Sequence, residues 1–184
     1  MKRIGFIGVF VLFTFMAKAQ ELKFAPIDAS PADIVYFPLN AAKAKDGSEP
    51  LIKVVYSRPA KKARDIFGVL EQYGKVWRLG ANECTEIKLF RRAKIGGKTI
   101  KPGSYSIYAI PNQDKWTLII NKQTDRWGAF TYDKSKDILR TEVPVKTLDK
   151  PIENFSISFV PQVDGANMVL AWDKTLVELP ITIK

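Results

Sequence analysis

Hydrophobic and polar positions alternate with a period of two along most of the chain after residue 50, and no long segment keeps a helical period. The alternation is clearest in residues 52–57, 85–89, 103–110 and 116–121. Both faces of 103–110 carry bulky side chains, which indicates a central strand with a neighbour on each side. The pattern therefore predicts a β protein in which turns separate short strands.

Turn signals divide the rest of the chain into further strands. Gly96-Gly97 predicts a tight hairpin, and Asp173-Lys174 predicts a closing hairpin near the end of the chain. Additional strands are predicted at residues 128–132, 138–145, 155–160, 168–172 and 176–183. Residues 65–73 would form a helical turn at most, because Gly68 disfavours a helix. The expected fold is mainly β, an antiparallel β-sandwich or jelly-roll-like barrel of about nine or ten strands with minimal helix.

Residues 1–19 have the pattern of a secretory signal peptide. Lys2 and Arg3 precede an apolar run over residues 4–16, and Ala17-Lys18-Ala19 forms a small-x-small cleavage pattern. The apolar run is shorter than the roughly 20 residues that a membrane-spanning helix needs. We therefore expect export to the periplasm or the cell exterior, with no transmembrane segment after cleavage.

The residues after the predicted signal peptide fall into a weakly patterned segment and a regularly alternating one. Residues 20–49 are weakly patterned, apart from an edge strand predicted within residues 34–37. Residues 50–184 carry the regular alternation and are expected to form a single β-rich domain, since a chain of this size buries enough surface for one core.

The chain contains no histidine and one cysteine, Cys84. The lack of histidine excludes Ser-His-Asp and Cys-His catalysis, histidine-containing zinc sites and the two-histidine iron site. No Asp-rich loop has calcium-binding spacing either, so we expect no metal and no cofactor. Cys84 has no second cysteine to pair with and no histidine base, and is interpreted as a small strand residue.

The chain is basic, with 29 Lys and Arg against 19 Asp and Glu, a net charge of +10. Loss of the three basic residues of the predicted signal peptide leaves 26 against 19, or +7. This charge suits an anionic envelope surface or an acidic ligand, although scattered solvated lysines would give the same total. The expected export argues against a nucleic-acid partner, and the sequence identifies no protein partner.

Six motifs carry a resemblance to a known family. They are YSRPAKKARDIFG (56–68), YGKVWRLGANECTEI (73–87), IGGKTIKPGSYSIYAIP (95–111), WTLIINK (116–122), WGAF (127–130) and LAWDKTLVELPI (170–181). With these motifs, nearly the whole chain from about residue 30 resembles the secreted bacterial family called domain of unknown function 2911. The resemblance implies a single exported β-rich domain and supplies no catalytic roles. Relatives usually carry a small residue such as alanine at position 84, which supports the structural interpretation of Cys84.

Arg58, Arg78 and Asn82 form one candidate ligand-binding site. An arginine holds a carboxylate or phosphate through two parallel hydrogen bonds. If the loops around Arg58 and Arg78 meet at one end of the sandwich, these residues would grip an anionic ligand. The favoured alternative is that Arg78 pairs internally with Glu83 or Glu86, because a buried charge needs a partner.

Glu83 and Glu86 are the candidate catalytic residues, because two carboxylates can share acid and base roles in glycoside hydrolysis. Their spacing argues against a simple pair. In a strand that starts near Cys84, Glu86 points away from the face of Thr85 and Ile87, and Glu83 lies at the preceding turn. Facing one substrate would require a bulge or a carboxylate from another strand, and surface carboxylates are more often simply solvated.

Trp77, Trp127 and Tyr73 form the third candidate site, a platform on which a sugar ring stacks. The two tryptophans lie near glycines in predicted loops and are expected to be more exposed than Trp116, which lies in an alternating strand. The alternative is that these large rings close the end of the sandwich.

These observations favour a non-catalytic binding or accessory module for an envelope glycan or a small anionic ligand. One alternative is a histidine-free hydrolase or lyase that uses Glu83 and Glu86. Another is a structural or partner-binding domain, which an exposed apolar patch or an open strand edge would mark.

Overall fold

The protein is described by a computed structural model over residues 21–43, 45, 47 and 49–184. Regular structure in this part consists of nine strands and two short 3-10 turns, without an α-helix. The strands are β1 (Ala32–Phe37), β2 (Ile52–Ser57), β3 (Glu86–Leu89), β4 (Ala93–Ile95), β5 (Lys98–Ile100), β6 (Gly103–Pro111), β7 (Lys115–Asn121), β8 (Asp137–Gln162) and β9 (Gly165–Ile183). The turns are Ala41–Lys43 and Lys134–Lys136. The predicted antiparallel, mainly β fold is confirmed.

The nine strands form one antiparallel sheet in the order β1-β2-β3-β6-β7-β8-β9-β4-β5. The long strand β8 joins its two halves, because residues 137–144 pair with β7 and residues 145–162 pair with β9. Register shifts between Thr147 and Ser156 interrupt the pairing of β8 with β9. The sheet does not close into a barrel, since β1 and β5 remain as its edges.

One large hydrophobic core lies between the two halves, which gives the sheet a sandwich-like arrangement. Its centre is aromatic, with Trp77 and Trp116 from the first half and Phe155 and Trp172 from the second. The ring centroid of Trp77 lies 5.2 Å from that of Phe155 and 6.0 Å from that of Trp172. Packing of this kind adds specific ring contacts to the burial of apolar area.

The outer face is the side of β1-β2-β3-β6-β7 that points away from this core. Directly paired residues on neighbouring strands share a face. The register therefore places Tyr36, Lys53 and Lys88 in one row across β1, β2 and β3. Val55 and Glu86 form part of the next row. This face carries the cavities described below.

Two predicted elements differ from the structure. Residues 128–132 form turns instead of a strand, whereas residues 65–73 form turns without a helix, within the prediction of a helical turn at most. The predicted hairpin at Asp173-Lys174 does not occur, because β9 continues through these residues. Asp173 has a φ of 52° and pairs with Ile152 of β8, with a register shift on each side of this pair. The turn between β8 and β9 lies at Val163-Asp164.

Strand β1 contains the segment predicted as an edge strand and lies at one edge of the sheet. It pairs with β2 along its whole length, so this segment is part of the same sheet as the later residues. The predicted signal peptide lies outside the described residues. Among the residues that are described, no helix is long and apolar enough to cross a membrane.

Candidate functional site

The loop after β7, residues 122–128, packs against residues 82–86 through backbone hydrogen bonds. Cys84 N donates to Arg126 O at 2.8 Å, and Gly128 N donates to Asn82 O at 2.9 Å. These bonds fix the position of the loop on the outer face. They join two segments that are about forty residues apart in the sequence.

The loop presents Trp127 to solvent. Asp125 and Gly128 have φ values of 57° and 65°, in the left-handed region that tight turns use. Between these two residues Trp127 is 62% exposed, and nearby Phe130 is 84% exposed. The prediction that Trp127 is exposed is confirmed.

A cavity of about 240 Å³ lies beside Trp127, and we call it the loop cleft. It is lined by Val55, Glu83, Cys84, Glu86, Asp125, Arg126 and Trp127. Three of these residues were sequence candidates, whereas Asp125 and Arg126 were missed. The signal that could have found these two is the polar turn TDR immediately before Trp127.

Glu83 and Glu86 both line the loop cleft, although their spacing argued against a simple pair. Regular strand structure begins only at Glu86, and the alternation of faces therefore does not extend back to Glu83. Asp125 provides a third carboxylate from another segment. Its backbone N–H donates a 2.6 Å hydrogen bond to Glu86 Oε1, so Glu86 also holds the loop in place.

Cys84 lies at the floor of the loop cleft as a buried free thiol. It lies two residues before β3 and thus outside the strand in which the sequence analysis placed it, and its Sγ lies 3.4 Å from Ile107 O. Burial raises the pKa of the Cys84 thiol to about 12. The thiol is therefore protonated at neutral pH, which disfavours a nucleophilic role and agrees with a structural one.

Trp77 is 3% exposed, so the prediction that it is an exposed aromatic residue is wrong. Its backbone exchanges two hydrogen bonds with Ala109 on β6, at 2.7 and 2.9 Å, and its side chain packs in the aromatic core. Trp77 Nε1 donates to Gly80 O at 3.1 Å. Thr85 Oγ1 donates to Leu79 O at 2.5 Å. Side chain to backbone hydrogen bonds thus hold this corner of the fold.

Arg58 and Asn82 already have internal partners. Arg58 forms an ion pair with Asp33 at 2.9 Å and donates to Ser156 Oγ at 2.9 Å. The side chain of Asn82 donates to Asp28 Oδ1 at 3.0 Å. These contacts engage donors that an anionic ligand would use.

Arg78 forms no ion pair with Glu83 or Glu86 in the described part of the chain, so the predicted internal pairing is wrong. Its Nε is buried without a hydrogen-bond partner among those residues. Burial raises the pKa of Glu71 to about 7, and the charges of Arg78 and Arg64 partly oppose this rise. The sequence pattern did not distinguish Glu71, because its burial depends on how the turns at 65–73 pack.

Tyr73 lies outside the loop cleft, and its ring packs against Gly68. A Cβ atom at Gly68 would lie 2.8 Å from Tyr73 Cε2. The structure therefore brings Glu83, Glu86 and Trp127 together at one cavity and does not bring Tyr73 to it. In the described ranges, no group of three or more Cys, Asp or Glu side chains is arranged to hold a metal ion.

Comparison with known proteins identifies one family. The model of the family described as "Protein of unknown function (DUF2911)" matches residues 38–181, which include β2 to β8 and most of β9. The family resemblance carried by the six motifs is thus confirmed. Neither a curated protein nor a solved structure matches the chain.

Proposed function

This chain belongs to the DUF2911 family of proteins of unknown function, and we propose that it is a non-catalytic module that binds a glycan in the loop cleft. The observation that carries the proposal is the exposed Trp127 beside a polar cavity. An exposed indole offers a flat apolar surface on which a sugar ring stacks. Carboxylates and a guanidinium group beside it match the hydroxyl groups of a sugar.

The charges of the loop cleft favour a glycan over a small anion. The cleft carries three acidic side chains, Glu83, Glu86 and Asp125, and one basic side chain, Arg126. This excess of negative charge disfavours a negatively charged ligand. The engaged donors of Arg58 also weaken the case for an anion site elsewhere. A neutral sugar accepts and donates hydrogen bonds without this penalty.

Export belongs to the same proposal. The pattern of residues 1–19, with basic residues before an apolar run and a small-x-small site after it, supports secretion. An envelope glycan is the ligand class that an exported module would meet. The proposal therefore combines a periplasmic or extracellular location with sugar recognition.

The test compares Trp127→Ala with Phe130→Ala in calorimetric titrations with neutral cello-, xylo- and chito-oligosaccharides. Loss of Trp127 should weaken binding by about 2 kcal/mol, or roughly 30-fold, because a buried aromatic anchor dominates such interfaces. Phe130 is the matched control, since it lies just after the same loop, is the more exposed of the two rings and does not line the cleft. Both variants should keep the stability of the wild type within about 0.5 kcal/mol.

Three results would contradict the proposal. The first is that none of these oligosaccharides binds, and the second is an equal loss of affinity in both variants. The third is cleavage of the bound oligosaccharide, detected by chromatography after incubation, which would instead support a hydrolase. Trp77→Ala is unsuitable as a binding test, because it removes a ring from the core.

A further inference from the structure

Two more cavities continue the loop cleft along the outer face. One of about 90 Å³ shares Val55 and Glu86 with the loop cleft and is also lined by Lys53 and Lys88. A larger one of about 410 Å³ shares these two lysines and extends to Phe90. The three cavities therefore adjoin one another along β3, and we call the three together the outer groove. It follows β3 from Cys84 to Phe90, a span of about 20 Å at the rise of an extended chain.

The end of the outer groove away from Trp127 is basic. Lys53 and Lys88 lie directly opposite each other on β2 and β3, and such like-charged neighbours repel. Neither lysine forms an ion pair within the part of the chain that the structure describes. Glu49 lines the same cavity and offsets part of this charge. An anionic group between the two ammonium groups would relieve their repulsion.

Aromatic side chains accompany these lysines. Tyr36 lies opposite Lys53 on β1, and Lys88 Nζ lies 4.8 Å from the ring centroid of Phe90. The cation–π contact holds the Lys88 ammonium near the wall of the cavity. This end of the groove thus combines positive charge with aromatic side chains.

The two ends of the outer groove have opposite charge. The loop cleft carries Glu83, Glu86 and Asp125, while the other end carries Lys53 and Lys88. A ligand that spans both ends is therefore oriented by its own charges. A uniformly anionic oligosaccharide would be attracted by the lysines at one end and repelled by the carboxylates at the other.

We infer that the outer groove binds an oligosaccharide that carries an anionic group at one end, with this group between Lys53 and Lys88 and an uncharged sugar against Trp127. The inference rests on the proposed function and specifies the class of glycan. The anionic group is a carboxylate or a phosphate, because a lysine ammonium binds either as a point charge.

The experiment titrates the protein with a xylo-oligosaccharide that bears one terminal glucuronic acid and with its carboxyl-reduced, neutral counterpart. The acidic form should bind about tenfold more tightly at low salt, through charge-assisted hydrogen bonds to the lysines. This preference should shrink in about 0.5 M salt, where exposed charges are screened. A terminally phosphorylated oligosaccharide shows which of the two anions is preferred.

The variants separate the charge preference from binding itself. Lys53→Gln/Lys88→Gln should abolish the preference for the acidic form, so that both forms bind with the same affinity. Lys53→Arg/Lys88→Arg should retain the preference, because the charge is kept. The matched control is Lys150→Gln/Lys174→Gln, two exposed lysines outside the groove, and it should behave as the wild type.

Equal affinity for the acidic and neutral forms in the wild type would overturn the inference and leave the proposed function standing. Loss of the preference in the control variant to the same extent as in Lys53→Gln/Lys88→Gln would also overturn it. Tightest binding by fully acidic oligogalacturonate would contradict the opposite polarity of the two ends. Failure of Trp127→Ala to weaken the neutral form would instead count against the proposed function.

Discussion

Glu71 shows how the surroundings of a single residue change its chemistry. It lies among the turns between β2 and β3, where burial raises its pKa from the ordinary value of 4.5 to about 7. The positive charges of Arg78 and Arg64 favour its ionised form but do not outweigh the loss of solvation. The folded protein therefore binds a proton at Glu71 more tightly than the unfolded chain does.

This difference predicts a pH dependence of stability. Glu71 contributes stability that is fully present below pH 4.5 and is lost as the pH rises through about 7. Glu71→Gln carries no charge at any pH, so it should match the wild type near pH 4 and exceed it by about 2 kcal/mol at pH 8. Urea unfolding of both proteins at several pH values measures this difference.

Glu142→Gln is the control, because Glu142 is an exposed carboxylate paired with Lys115. Its effect should stay below about 1 kcal/mol across the same pH range, as for other surface pairs. A constant difference between Glu71→Gln and the wild type from pH 4 to pH 8 would contradict the raised pKa.

At the residue scale, local pattern predicted the exposure of Trp127 but not the burial of Trp77. Both tryptophans lie near glycines, and the local sequence does not separate them. Their surroundings are decided by pairing with distant segments. Trp77 pairs with Ala109 and enters the core, whereas Trp127 lies in a loop held over residues 82–86. Glu71 was missed for the same reason, because no local signal reports burial from a tertiary contact.

At the scale of elements, the turn between β8 and β9 depends on Gly165. This glycine has a φ of 155°, and a Cβ atom at its position would lie 2.1 Å from Ile181 O. A backbone carbonyl cannot move away as a flexible side chain does. The close approach is therefore a requirement of the hairpin and not an incidental contact.

Gly165→Ala should destabilise the protein by about 3 kcal/mol or more, since it combines unfavourable φ with a backbone clash. Gly74→Ala is the matched control, because Gly74 also has a positive φ, 72°, but has open space at its Cβ position. The control should cost only about 1 kcal/mol for its left-handed backbone. Equal losses in the two variants, measured by thermal or urea unfolding, would show that the clash is relieved elsewhere.

The elements that the sequence predicted best are those with strict alternation and nearby turn residues. Residues 52–57 form β2 and residues 116–121 lie in β7, as predicted. Asp173-Lys174 misled the prediction because its polar residues resemble a turn. Their place in β9 depends on the pairing of β9 with β8 on both sides of them, which the local sequence does not report.

At the scale of the whole molecule, composition and alternation predicted the fold class, whereas the outer groove could not be predicted. The groove requires the register of three strands, which sets Tyr36, Lys53 and Lys88 in a row. It also requires the loop that carries Trp127 to fold back over residues 82–86. Both are long-range arrangements, so the sequence supplied single candidates such as Trp127 without the cavity that joins them.

The path of β8 predicts how the whole molecule unfolds. Strand β8 pairs with both β7 and β9, and the core lies between the two halves of the sheet. Neither half can therefore unfold without exposing the core side chains of the other half. We therefore expect one cooperative transition in urea. Far-UV circular dichroism should report the loss of strands at the same midpoint as tryptophan fluorescence reports the loss of the core.

Trp127→Phe sharpens this measurement, because it removes the exposed tryptophan and leaves Trp77, Trp116 and Trp172 in the core as reporters. Coincident transitions in this variant would show that the two halves stabilise each other. A fluorescence transition that precedes the dichroism change would contradict this view, because it would mean that the halves separate while their strands persist. The continuity of β8 would then link two units that fold independently.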